Sequence, residues 1–322
     1  MPKLNVAVIG VGNMGQHHAR VYSEMPEVNL VAVCDTDIKK SEEIAKKYNC
    51  LFYNNYQRMF DEKKIDAVSV AVPTFLHQKI ACDVISEGIN ILLEKPIATN
   101  LNEARIIINK AKEKNVKLMV GHIERFNPAV QKLKNFIQDD QLGDIISINI
   151  KRVGGLPPQT KNANVILDLG IHDIDISNYL LGEYPKEVYG FKSKNLIDDQ
   201  EDSAVILLKY SKASSFIEVN WITPVKIRTM DITGTKAFAR LDYINQTITL
   251  FKNDSLIKNN KYGSFNEFIS KFSLPDKIEI SVKKAEPLKC EFEEFINAII
   301  HKREPLMDNE EAYKALEIAF KI

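Results

Sequence analysis

The sequence predicts an α/β protein in two parts. The first, residues 1–122, is a doubly wound parallel sheet. The second, residues 123–322, is an α+β part with a large open, mainly antiparallel sheet. Three observations carry this expectation. The 322 residues are about twice the length of an ordinary domain. As far as residue 120, short apolar runs alternate with amphipathic stretches. After Phe126 that rhythm gives way to β-like segments in succession.

In the first part, residues 4–9, 29–34, 67–72, 89–93 and 117–120 read as strands. Several are apolar without alternation, as in a parallel sheet covered on both faces. Residues 14–24, 39–48, 76–87 and 101–114 read as the intervening helices, and Asn100 with Glu103 three residues on marks the start of the last. In the second part a helix is expected at 128–138, stopped by Gly143, then a strand at 144–152 and a glycine- and proline-rich loop at 154–158. A helix at 169–181 precedes strands at 187–192, 203–210, 214–221, 226–233 and 247–251. Residues 253–286 are polar and lysine-rich and match no element, and helices at 290–301 and 308–320 close the chain.

Composition narrows the function. Forty-three basic residues balance forty-three acidic ones, so the chain lacks the basic excess usual in nucleic-acid binders. No apolar run is long enough to span a bilayer, and the start of the sequence has no signal-peptide grammar. The four cysteines, Cys34, Cys50, Cys82 and Cys290, form no CxxC pair. This fits a reducing cytoplasm and argues against a disulfide framework or a thiolate metal site.

Gly10-Val11-Gly12-Asn13-Met14-Gly15 follows the first strand and opens the first helix. Its glycines serve a tight turn, close approach of backbone to a pyrophosphate, and strand–helix packing. The helix N-terminus offers N–H groups and a positive dipole end to the anion. Asp35, twenty residues past Gly15, ends the second strand, where a carboxylate accepts from ribose hydroxyls and repels a 2′-phosphate. NAD is therefore expected over NADP, although Asp37 competes for the role. Pro73, Thr74 and His77 follow the third core strand at the carboxyl edge that lines the ligand crevice. For Thr74 a helix cap competes with cofactor contact, and for His77 a place on the helix surface does. Glu94-Lys95-Pro96 lies at the same edge, where a lysine can reach a substrate oxygen; a solvated Glu–Lys pair is the bland alternative. Asp168 and His172, four apart, share one helix face, so the carboxylate could orient the imidazole for proton transfer. A helix cap and a packed histidine compete with that role. No second histidine has ligand spacing to His172, so no metal is expected.

With these motifs on the page, the chain resembles the glucose–fructose oxidoreductase, inositol dehydrogenase and MocA (Gfo/Idh/MocA) family of dehydrogenases with a Rossmann nucleotide-binding domain. GVGNMG, Asp35, VPTFLH, LLEKPIAT and DLGIHDID carry the resemblance along nearly the whole chain. It implies that Lys95 and His172 serve the reacting hydroxyl with Asp168 assisting, and that Glu94 and Lys95 stand beside the cofactor. A narrower similarity, in VGHIERFNP at 120–128 and EPLK at 286–289, is to enzymes that oxidise UDP-N-acetylglucosamine at C3. It implies a nucleotide-sugar substrate met by Arg125, Asn127, Lys151, Asp168 and His172. Either Lys95 or His172 could be the base. A dehydrogenase of a free sugar or polyol such as inositol, and a non-catalytic NAD-binding regulator, are the rival readings. An open sheet with Phe216, Trp221 and Ile222 on or beside its strands implies a homodimer or homotetramer.

Overall fold

The computed structural model describes residues 3–155, 164–252, 264–266 and 277–322. Part of the glycine- and proline-rich loop (156–158) and most of the polar stretch 253–286 lie outside the described residues. The chain forms two compact units, Met1–Ile123 with Pro287–Glu317, and Glu124–Glu286 with Ile318–Ile322.

The first unit carries six strands, β1 (Leu4–Ile9), β2 (Val28–Cys34), β3 (Leu51–Tyr53), β4 (Ala67–Val70), β5 (Asn90–Glu94) and β6 (Leu118–Gly121). They are all parallel, in the order β3-β2-β1-β4-β5-β6. Chain direction across the sheet reverses between β1 and β4, which opens a crevice at their carboxyl ends. The helices are α1 (Gly15–Glu24), α2 (Ile38–Tyr48), α3 (Tyr56–Glu62), α4 (His77–Ser86) and α5 (Leu101–Lys114). Asn100 caps α5 as expected, its side chain accepting from the Glu103 N–H at 3.0 Å. Sequence reading passed over β3 and α3. Three residues are too few to show a period, and Leu51 and Phe52 stay exposed on this edge strand.

The expected boundary at residue 122 needs one correction: Pro287–Glu317 returns to the first unit rather than completing the second. The cause is apolar. Helix α8 (Pro287–Ile300) buries Phe292, Phe295 and Ile296, and Phe292 packs on the rings of Tyr22 (4.6 Å between centroids) and His18 (4.9 Å) of α1. Each buried phenylalanine is worth about 1.5–3 kcal/mol over exposure. The last helix, α9 (Asn309–Ala319), carries Glu310, which pairs with Arg105 at 2.8 Å and Lys112 at 2.9 Å on α5.

The second unit opens with α6 (Pro128–Gln138), and α7 (Ile171–Leu181) lies between its first two strands. Its eight strands are β7 (Ile145–Val153), β8 (Glu187–Ser193), β9 (Ser203–Lys209), β10 (Ser214–Asn220), β11 (Ile227–Gly234), β12 (Ala237–Asp242), β13 (Thr247–Lys252) and β14 (Lys277–Ile280). The order is β14-β13-β12-β11-β7-β10-β9-β8, antiparallel except that β10 runs parallel to β7. Alternation sorts the faces: Ile148, Ile150 and Arg152 of β7 and Ser215, Ile217 and Val219 of β10 point to the face that α7 covers. Phe216 and its cross-strand partners Leu207 and Asn149 lie on the other face and are exposed.

Candidate active site

The glycine loop connects β1 to α1, and its three glycines are required for different reasons. Gly10 has φ +84°, and a Cβ there would sit 2.5 Å from the Ala71 carbonyl oxygen. A Cβ on Gly15 would fall 1.7 Å from the Gly10 carbonyl oxygen, so helix and loop touch through backbone. A Cβ on Gly12 would meet nothing within 4 Å. That open space is the cradle a pyrophosphate needs, and Met14, just before α1, provides no side-chain cap for the first N–H groups of the helix.

Beside the loop lies a cavity of about 350 Å³ lined by Ile9, Gly10, Gly12, Asp35, Thr36, Asn54, Asn55, Tyr56, Pro73 and Leu76 among others. Asp35 spans its rim: Oδ2 accepts from the Val11 N–H at 2.8 Å and Oδ1 from the Asp37 N–H at 2.9 Å. A carboxylate has about four acceptor positions, so two remain for ribose hydroxyls. Asp37 instead caps α2, accepting from the N–H groups of Lys39 and Lys40. These residues fit NAD, and a 2′-phosphate at Asp35 would meet a like charge. Asn54, Asn55 and Tyr56 went unforeseen because they follow the strand that was missed. Asn55, by accepting from the Arg58 N–H at 3.1 Å, starts α3.

Thr74 opens a single 3₁₀ turn, Thr74–Leu76, beside Pro73. The expectation for His77 needs correcting. It is 1% exposed, with Nδ1 2.9 Å from the Pro96 carbonyl and Nε2 3.0 Å from that of Val72. It clamps two strand ends together instead of facing a ligand. Burial pushes its pKa below the usual value of 6.5, against the opposing pull of the two carbonyls. Lys95 is half-buried at the end of β5, and its N–H donates to Glu94 Oε2 at 3.2 Å. Burial works against the Glu94 charge, but the His18 hydrogen bond and the charges of His18 and Lys95 hold its pKa below the ordinary carboxylate range.

In the second unit, α7 is entered through a π turn, Ile166–Gly170, that contains Asp168. This extra width was invisible in the i, i+4 spacing, and such turns cluster at functional sites. The Trp221 indole N–H donates to Asp168 Oδ2 at 3.3 Å, and His172 lies in the first turn of α7, 9% exposed. Trp221 is therefore an inward-facing partner of Asp168, 2% exposed, and not part of the open sheet face.

Three substrate expectations meet a different geometry. Arg125 is 1% exposed, and its Nε and Nη2 donate to the two carboxylate oxygens of Asp175, each at 2.7 Å. It fastens its loop to α7. Asn127 caps α6, accepting from the Ala129 N–H at 3.1 Å and donating to the Tyr243 carbonyl at 3.1 Å. Lys151 pairs with Glu218 at 3.1 Å on the sheet face opposite α7, because its strand neighbour Arg152 points toward that helix. The cation under α7 is Arg152, which grips Asp173 at 2.8 Å and Glu124 at 2.6 Å. Burial opposes its charge, yet the two carboxylates hold it firmly protonated.

Residues 4–122 match the model of the oxidoreductase family with an NAD-binding Rossmann fold, and residues 130–240 match that of the GFO/IDH/MocA C-terminal domain. UDP-N-acetylglucosamine 3-dehydrogenase of Acidithiobacillus ferrooxidans is 25% identical over 322 residues, which are 100% of this chain and 97% of that one. The solved structure of that enzyme superposes with a TM-score of 0.86 at 25% identity, over 100% of this chain and 97% of the other. scyllo-Inositol 2-dehydrogenase (NAD(+)) of Bacillus subtilis is 30% identical over 194 residues, 58% of this chain and 57% of its own.

Proposed function

This chain belongs to the Gfo/Idh/MocA family of oxidoreductases, and on that premise we propose that it oxidises UDP-N-acetylglucosamine at C3 to the 3-keto sugar nucleotide. It is an NAD-dependent dehydrogenase acting on a carbinol group. The observation that supports the substrate is the match to UDP-N-acetylglucosamine 3-dehydrogenase along the full length of the chain.

When bound, NAD would supply the acceptor for the carbinol hydride. The chain must hold the dinucleotide and move one proton. Gly10, Gly12 and Gly15, with Asn13 and Met14 at the start of α1, would hold the pyrophosphate, and Asp35 the ribose. In this reading Lys95 and His172 share the work at the hydroxyl, one as base and the other polarising the oxygen, with Asp168 assisting. An unperturbed histidine titrates near ~6.5 and suits proton transfer at neutral pH. A ligand role for Arg125 and Asn127 is dropped, since both are spent on internal bonds. Cys34, Cys50 and Cys82 are free thiols, which fits a cytoplasmic setting. The open face around Phe216 and Leu207 would join a second copy, and light scattering that finds only monomer would remove this part of the reading.

The test is direct. Purified protein with NAD and UDP-N-acetylglucosamine should form NADH and a nucleotide sugar lighter by two hydrogens. Turnover of inositol with no turnover of the sugar nucleotide would favour the polyol reading, which the 30% identity to scyllo-inositol 2-dehydrogenase supports. NAD binding with no turnover of either would favour a regulator.

A further inference from the structure

We infer that Glu94 is a positioning residue for Lys95, and that His18, backed by Ser69, holds Glu94 in place. The inference rests on the reading of Lys95 given above and adds three residues to it.

The cluster is built from three elements of the first unit. Ser69 lies in the central strand β4 and is fully buried. Its Oγ meets His18 Nδ1 at 2.5 Å, and His18 Nε2 lies 3.0 Å from Glu94 Oε1. The second carboxylate oxygen, Oε2, accepts from the Lys95 N–H at 3.2 Å. Glu94 thus has one oxygen on the imidazole and the other on the backbone of the residue it would aim. His18 belongs to α1, the helix that opens at the glycine loop, so the cofactor cradle and the lysine share one rigid support.

The imidazole closes the chain of bonds: the Nε2 N–H donates to the carboxylate, and Nδ1 shares a hydrogen with the Ser69 hydroxyl. Serine, histidine and carboxylate in this order resemble a nucleophilic triad. The burial of Ser69 and His18 argues against that use, because no substrate carbonyl reaches a hydroxyl inside the sheet. A second carboxyl, Glu291 of α8, is 1% exposed, and its Oε1 has no hydrogen-bond partner among the described residues. Burial and the nearby Glu94 charge push its pKa well above the usual carboxylate value. Burial thus favours the protonated form of Glu291, and the cluster's charge is favoured on Glu94, where the hydrogen-bond donors are.

The test uses the full chain and two matched pairs, Glu94→Ala with Glu94→Gln, and His18→Leu with His18→Gln. The glutamine replacements keep a group at the bonding position, an acceptor for Glu94 and a donor for His18. Two readouts apply to each. Amide hydrogen exchange across residues 92–97 with NAD bound needs no sugar substrate. It should quicken in Glu94→Ala and His18→Leu and return toward native in the glutamine partners. With UDP-N-acetylglucosamine, kcat should fall roughly tenfold to a hundredfold in the first member of each pair, the scale for a misplaced reacting group. KM and NAD affinity should change little, and the glutamine partner should recover most of the rate. A merely structural role would lower the melting temperature and weaken NAD binding without selective rescue. Unchanged exchange at 92–97 in both Glu94→Ala and His18→Leu overturns the inference. If Glu94→Ala fails to fold, the His18 pair decides alone. Lys95→Met separates the two ideas: near-native activity there removes Lys95 from the chemistry. An inactive Lys95→Met beside a native-like Glu94→Ala removes only the positioning role.

Discussion

The two units each bury a charged cluster next to a residue implicated in the chemistry, and the two clusters are built differently. In the first unit one carboxylate, Glu94, is held by an imidazole and a backbone N–H. In the second, guanidinium groups hold carboxylates: Arg152 grips Asp173 and Glu124, and Arg125 grips Asp175. A guanidinium cannot shed its proton in a protein, so this half of each pair keeps its charge, while burial raises the pKa of the partner Asp173 above the usual carboxylate value. The imidazole–carboxylate cluster can be trimmed at its carboxylate without stranding a buried guanidinium. The difference teaches where tolerance lies: near Lys95 a substitution should change rate before stability, and beneath α7 it should change stability first.

The largest effect should come from Arg152→Met, which leaves Asp173 and Glu124 without their shared cation. Breaking a buried pair this way costs about 3–5 kcal/mol, readable by chemical denaturation. A loss under about 1 kcal/mol would erase the contrast, since surface pairs are worth that little. Next is Lys95→Met. It should cut the rate by roughly a hundredfold or more, the scale of a positioned acid–base group, while NAD binding by calorimetry persists. Smaller again is Asp35→Ala, which should weaken NAD by about tenfold and narrow the preference over NADP, given the worth of a hydrogen bond to a charged group. A native protein that binds NADP as tightly as NAD would defeat the assignment of Asp35.

The smallest effect concerns pH and sharpens the picture of the first cluster. Glu291 keeps its proton in the folded state at pH values where the unfolded chain has released it. The folded state then binds more protons, so this group's contribution to stability declines as pH rises above the ordinary carboxylate range. Glu291→Gln removes that decline. Its melting temperature should gain on the native protein between pH 5 and pH 8, by about 1–2 °C for each kilocalorie gained. A constant difference across that range would place the charge elsewhere.

The nucleotide end was largely legible because its information is local. A glycine loop, a strand before it, a helix after it and an acid at the end of the next strand lie within residues 4–35, and the backbone geometry follows from them. The site residues of the second unit were legible only as types. Lys151 and Arg152 are neighbouring cations in the sequence, and their identity alone did not say which would be spent inside. His77 looked like a surface or ligand histidine until the fold set two carbonyls against its ring.

What the sequence determined by itself was therefore whatever a short stretch of backbone decides: the βαβ rhythm, the glycine turn, the cap at Asn100, and the alternation that sorts the faces of the second sheet. What only the tertiary structure decided were the partnerships made across distance. They include the return of Pro287–Glu317 to the first unit, the inward turn of Trp221 toward Asp168, and the placing of Lys151 on the face opposite α7. They also include the meeting of Ser69, His18 and Glu94 from three separate elements. The physical reason is that a buried polar group must find a partner, and the partner available is set by which elements pack together, not by neighbours in the chain.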